Sequence, residues 1–328
     1  MSTPKGGLLA RLKIDWYLVL IVGMVVAASL APARGAAGPV FEWATKIGIA
    51  MVFFLHGARL SRDAVMAGLT HWRLHLTVLA CTFVLFPILC LGLAALPNWI
   101  VPDPLVTGII FLGCLPSTIQ SSIGFTAIGR GNVPAAVASA SASNLLGIAL
   151  TPLLVSLTLH QQGGISLSSV EGIVLQLLVP FIAGQLMRRW IGNWVKDRAK
   201  LLSYADRGAI LLIVYTAFSG AVVGGVWAQV DAFEIARLLV ICAVLLAVVL
   251  AATAYGSRAL GFSKEDEIAI VFCGSKKSLA SGVPMAGVLF PAATAGLAIL
   301  PLMVFHQIQL MACAVIAQRY AARAKEAD

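Results

Sequence analysis

Charge is what this sequence has least of. Asp, Glu, Lys and Arg together supply 11% of its 328 residues, against about 25% in an ordinary soluble domain. Acids are the scarcer sign, and only Glu42 falls clearly inside an apolar run, without an acidic partner. That argues against intramembrane chemistry built on paired aspartates or clustered acidic metal ligands. The remaining hydrolytic option is a Ser–Lys arrangement, Ser275 or Ser278 with Lys276 or Lys277. No Walker motif is present, which argues against an ATP-driven pump. No CxxC or zinc-knuckle spacing occurs among Cys81, Cys90, Cys114, Cys242, Cys273 and Cys313, so these read as small buried apolar side chains. No metal, cofactor or catalytic residue is predicted.

What is present is apolar sequence in long runs. Hydrophobic residues make up 60% of the chain, in stretches of about 20 residues, each enough to cross a bilayer core of about 30 Å. The fold class expected is an all-α membrane protein with ten spans, near 15–33, 39–58, 73–96, 104–129, 133–159, 169–190, 204–228, 232–257, 266–290 and 294–318. The spans leave no room for a separate soluble domain. The net charge of +9 lies between apolar runs, so nucleic acid is not an expected partner. Lys5, Arg11 and Lys13 before the first run resemble a signal peptide. Asp15, Trp16 and Tyr17 read better as the interfacial anchor of a retained helix.

The basic residues test the count. With ten spans, both termini and the even-numbered loops share one side. That side holds Lys5, Arg11, Lys13, Arg59, Arg62, Arg73, Arg130, Arg188, Arg189, Lys196, Arg198, Lys200, Arg207, Arg258, Lys264, Arg319, Arg323 and Lys325, which is 18; the other side holds Arg34 and Arg237, which is 2. By the positive-inside rule both termini face the cytoplasm, as in a multi-pass protein of the cell's inner membrane. Five spans are an odd number, so two five-span repeats would be inverted, as 1–160 and 161–328, with the break in the uncharged segment 160–169. The oligomeric state is open.

Two spans carry polar interruptions about 158 residues apart, close to half the chain. The fourth holds Pro116, Ser117, Thr118, Gln120, Ser121 and Ser122; the ninth holds Gly274, Ser275, Lys276, Lys277 and Ser278. Pro116 cannot donate a backbone hydrogen bond and disfavours helix at Leu115. Freed backbone groups facing lipid would cost several kcal/mol each, so they must face protein or a water-filled cavity. A buried lysine costs about 2.5–3.5 kcal/mol, and adjacent residues on a helix diverge by about 100°, so an unwound stretch hides two lysines better than a continuous helix. Paired interruptions of this kind point to a transporter's solute site. Half-helix N-termini and two lysines favour an anionic solute.

Other polar residues read two ways. Ser139 and Asn144 on the fifth span are packing residues or site residues. His306 and Gln309 on the tenth share a face and are glue between helices or part of the site. Glu42 and Lys46 form a favourable i,i+4 pair. His56 and Arg59 are expected to snorkel to the interface, and Glu265 to Glu267 to be solvated.

Gly113-Cys114-Leu115-Pro116-Ser117-Thr118, Gly131-Asn132-Val133-Pro134, Phe272-Cys273-Gly274-Ser275-Lys276-Lys277-Ser278 and Phe305-His306-Gln307-Ile308-Gln309 together resemble the bile acid:sodium symporter superfamily, and most closely its sodium/bile acid cotransporter 7-like branch. The resemblance covers nearly the whole chain. It implies a core of spans 3–5 and 8–10, a panel of spans 1, 2, 6 and 7, and a site where spans 4 and 9 cross, worked by alternating access. In sodium-coupled members a Glu-x-Gly-x-Gln-Asn pattern supplies sodium ligands. Here the Glu position reads Phe272 and the Gln-Asn positions read Lys276-Lys277, while the fourth-span Ser-Asn pair reads Ser121-Ser122. A hard cation wants oxygen ligands and is repelled by ammonium groups. The expectation is therefore that a lysine ammonium stands where sodium would sit, leaving transport uncoupled or coupled to a proton; sodium held by Ser121 and Ser122 is the weaker alternative. The resemblance also leaves open a non-transporting regulator of ion entry, for which the sequence offers no cytoplasmic domain.

Overall fold

The computed structural model describes residues 16–59, 71–160, 167–225 and 231–327. Lys5, Arg11, Lys13, Arg62 and most of the expected break at 160–169 lie outside them. Every described element is helical: α1 Trp16–Leu30, α2 Ala37–Arg59, α3 Trp72–Ala94, α4 Asp103–Cys114, α5 Gln120–Ile128, α6 Val133–His160, α7 Leu167–Asp197, α8 Ala199–Val223, α9 Ala232–Ala259, α10 Lys264–Gly274, α11 Leu279–Leu289 and α12 Ala292–Ala327. Among the described residues, α2, α3, α6, α8, α9 and α12 are long and apolar enough to cross a bilayer. Their outer faces remain apolar, with Val40, Leu76, Leu157, Leu201, Val240 and Met311 exposed. Trp72 opens α3, and Trp99, Phe233 and Tyr255 sit exposed near helix ends, where amphipathic rings meet lipid headgroups.

Local chemistry sets the ends. Asp231 caps α9 through the Glu234 amide at 2.7 Å, and the Glu234 carboxylate accepts from the Asp231 amide at 3.0 Å, a reciprocal capping box. Ser263 caps α10. The basic segment expected as a loop at 188–207 is almost wholly helical: α7 continues to Asp197, and α8 begins at Ala199. Arg189, Lys196, Asp197, Arg198 and Lys200 are exposed, and no proline or glycine pair interrupts the segment. Within α3, residues Cys81–Leu85 widen into a π turn, and the Phe86 amide reaches back five residues to the Cys81 carbonyl. The next amide in that register would belong to Pro87, which has none, so the Thr82 carbonyl has no partner in its own helix.

Two groups of helices result. In one, α8 packs on α1 and α2, and α2 crosses α7. That crossing needs glycine on both sides. A Cβ at Gly57 would lie 2.0 Å from the Phe181 carbonyl oxygen, and one at Gly184 would lie 2.0 Å from that of Phe54. In the other group, α4 packs on α3 and α12, α9 on α10 and α12, and α10 on α5 and α6. The groups meet where α8 lies on α12 and α11, and where α6 lies on α7.

Two charge assignments change. Glu267 is buried, not solvated, and accepts from Arg258 at 2.8 and 3.0 Å, Lys264 at 2.8 Å and Tyr320 at 2.8 Å. It lies on the face of α10 turned toward α9 and α12. Lys46 lies 5.2 Å from the Trp43 ring centroid and makes no ion pair with Glu42.

Candidate solute site at the crossing of two broken helices

The chain leaves helical geometry between α4 and α5, and again between α10 and α11. The two breaks lie against each other and satisfy each other's backbone. The Ser278 amide donates to the Pro116 carbonyl at 2.9 Å. Ser117 Oγ donates to the Cys273 carbonyl at 2.5 Å, and Ser122 Oγ to that of Phe272 at 2.9 Å.

Every carbonyl from residue 113 to 117 has a donor, as buried backbone requires. Gly113 and Leu115 accept from Lys277 Nζ at 2.8 and 2.7 Å. Cys114 accepts from Thr151 Oγ1 at 2.8 Å, Pro116 from the Ser278 amide, and Ser117 from Asn144 Nδ2 at 2.6 Å. The third donor of the Lys277 ammonium goes to the Thr82 carbonyl at 2.8 Å, the group stranded by Pro87. Lys277 therefore spends all three N–H bonds on backbone carbonyls. Two of them belong to the C-terminal end of α4, where the helix dipole favours a cation. The Phe86 ring lies beneath it, its centroid 4.1 Å away.

Gln309 clamps the same residue from α12. Its Oε1 accepts from the Lys277 amide and its Nε2 donates to the Lys277 carbonyl, both at 2.9 Å. His306 Nδ1 lies 2.9 Å from that Nε2. Lys276 is treated differently. It is fully buried, and its Nζ has no hydrogen-bond partner among the described residues. Its Nζ sits over the rings of Phe125 at 3.9 Å and Phe272 at 5.7 Å.

On the side of the crossing facing α2 and α8 lies a cavity of about 500 Å³. Of the residues singled out from sequence, Thr118, Gln120, Ser121, Asn144, Ser278 and His306 line it. The first turns of α5 and α11 also line it, so their positive dipole ends bear on it. Ser278 Oγ donates to Ser281 Oγ at 3.0 Å, which donates to Asn144 Oδ1 at 2.7 Å. Ser117, Ser122, Ser275, Lys276, Lys277 and Gln309 lie buried behind the wall. Gly274 packs on Cys81 and Thr253. Ser139 is turned to His75, its Oγ 2.7 Å from Nδ1, and does not line the cavity.

The opposite wall was not legible as a site in the sequence. His56 and Arg59, expected to snorkel, line the cavity with Tyr17, Ser203, Asp206 and Arg207. Arg59 forms an ion pair with Asp206, and the Arg207 guanidinium lies 5.2 Å from the Tyr17 ring centroid. Arg59 and Asp206 are 147 residues apart, and no local pattern links them. The one available signal was Asp206 at the start of the expected span 204–228. Ser141 and Ser281 were also missed, although Ser281 stands three residues after the N-cap Ser278.

An apolar helical chain with two broken helices crossing beside a small polar-ended cavity defines the class: a multi-pass membrane transporter acting on a small solute. The chain belongs to the SBF-like CPA transporter family, which it matches over residues 15–322. It is 57% identical over 315 residues to an uncharacterized protein of Pseudomonas aeruginosa, covering 95% of each chain. It is 52% identical over 312 residues to YfeH of Escherichia coli K12, which carries the provisional name of a symporter, covering 94% of this chain and 93% of that one. It is 30% identical over 317 residues to the sodium/bile acid cotransporter 7 of Mus musculus, covering 94% and 93%. The family and its named relatives are transporters, not enzymes. The hydroxyls agree: Ser275 Oγ donates to the Val271 carbonyl at 2.5 Å and Ser278 caps α11.

Proposed function

We propose that this protein is a secondary carrier that moves a small organic anion by alternating access. The observation that carries the reading is the cavity of about 500 Å³ walled by both broken helices on one side and by His56, Arg59 and Arg207 on the other. An anion entering it meets two helix N-termini, serine and amide donors, and cationic side chains. Ten spans in two inverted halves, 1–160 and 161–328, account for the paired breaks. In that architecture α1, α2, α7 and α8 act as panel, and α3 to α6 with α9 to α12 act as core. Arg59 and Arg207 belong to the basic, cytoplasmic face, so the cavity corresponds to an inward-facing state in the cell's inner membrane.

Lys277 takes the place that sodium occupies in coupled relatives. Three carbonyls at 2.7 to 2.8 Å around one ammonium form an oxygen cage already filled by the protein's own cation. Ser121 and Ser122 bond to Thr118 at 2.7 and 3.0 Å, and no carboxylate among the described residues joins them. The test is thermal stabilisation of the purified protein by a panel of organic anions, with sodium or potassium as the counter-ion. Stabilisation by some anions, equal in both salts and altered by Lys277→Ala or Arg59→Gln, is expected. No response to any anion, or a response that requires sodium, sinks the reading.

A further inference from the structure

We propose that Lys276 is the proton-carrying group of this transporter, taking up one proton from one side of the bilayer and releasing it to the other in each cycle. The proposal deepens the function above and rests on it.

The two adjacent lysines divide between two roles. Lys277 has one carbonyl for each of its three N–H bonds. A neutral amine there would offer two donors and turn a lone pair on a carbonyl oxygen, so this group is held as the ammonium. Lys276 has no such acceptors among the described residues; two ring faces are all that hold its charge. Neither of its protonation states is locked by hydrogen bonds, and neither leaves a buried partner stranded on changing.

Among the described residues no acid forms a hydrogen bond or ion pair with it. The titratable groups that act on it are the thiols of Cys273 and, on α12, Cys313. From α5 comes Phe125, whose ring faces its Nζ, and Leu250 and Ala254 of α9 pack against the apolar cluster that holds Phe272 and Cys313. The acid one face along α10, Glu267, is occupied by Arg258, Lys264 and Tyr320. The balance is simple: R–NH3+ becomes R–NH2 plus a proton on one side, and the reverse occurs on the other. Lys276 is fully buried in this state, so exchange with water belongs to another arrangement of core and panel. One proton is then delivered per turnover, not leaked.

The test observes the proton itself. Protein labelled with 15N at lysine Nζ is placed in lipid nanodiscs and followed by solid-state NMR from about pH 6 to about pH 9, below the range in which exposed lysines titrate. One signal is expected to pass from ammonium to amine. It should vanish in Lys276→Met and in Lys276→Gln and persist in Lys277→Met, while a second buried signal stays ammonium and is lost with Lys277→Met. A Lys276 signal fixed in either form overturns the proposal, as does a titrating signal that disappears with Lys277→Met. Should Lys277→Met fail to fold, the wild type against both Lys276 variants still decides. A failed anion panel beside a titrating Lys276 would strike the solute reading alone.

Discussion

Lys276 and Lys277 are neighbours in sequence with opposite surroundings, and that contrast sets the residue-scale expectations. Lys277→Met strips the donor from three buried carbonyls, each costing about 1–3 kcal/mol when left unpaired. Thermal unfolding in detergent should show a loss of at least about 3 kcal/mol. Lys276→Met abandons no acceptor and removes a buried ammonium, so its melting point should match or exceed that of the wild type. Equal losses for both would contradict the assignment of roles. Asp206 gives a third case. Its partner Arg59 keeps 31% of its side chain exposed, and such pairs contribute under about 1 kcal/mol. Asp206→Asn should therefore leave the melting point within a few degrees while freeing Arg59, so that responsive anions stabilise the variant more strongly than the wild type.

At the scale of elements, the crossing of α2 and α7 is the least forgiving contact. Gly57→Ala or Gly184→Ala would drive a methyl group onto a facing backbone carbonyl, which no rotamer change relieves. A loss of about 3 kcal/mol, or failure to recover folded protein by size-exclusion chromatography, is expected from either. Comparable stability would mean that these helices do not approach as described. The breaks in the fourth and ninth expected spans were legible because Pro116 is followed by a run of polar residues, and because paired lysines are costly to hide on a continuous lipid-facing helix. The π turn in α3 was not, since Pro87 in an apolar run reads as an ordinary kink. Its purpose appears only when Lys277, 195 residues later, is seen to fill the Thr82 carbonyl. The helical course through 188–207 was not legible for a related reason: hydrophobicity marks where an apolar run ends, while helix propensity in Lys-, Arg- and Leu-rich sequence favours continuation beyond it. Glu267 was misread because burial of an acid depends on partners drawn from α9 and α12.

The molecule as a whole should be indifferent to sodium. Replacing sodium with potassium at constant ionic strength should leave the melting point unchanged, since Lys277 already supplies the charge in its oxygen cage; a sodium-specific rise would contradict this. Cysteine labelling in cells should place both termini on one face, and opposite faces would break the ten-span architecture. The cross-bonded breaks also constrain biogenesis. The carbonyls of Gly113, Leu115 and Pro116 take their donors from Lys277 and Ser278, which leave the ribosome about 160 residues later. The first half must therefore wait in the bilayer with three open acceptors until the second half arrives. A fragment ending near residue 160 is an incomplete product that quality-control proteases would recognise, and its rescue would require the other half supplied in trans.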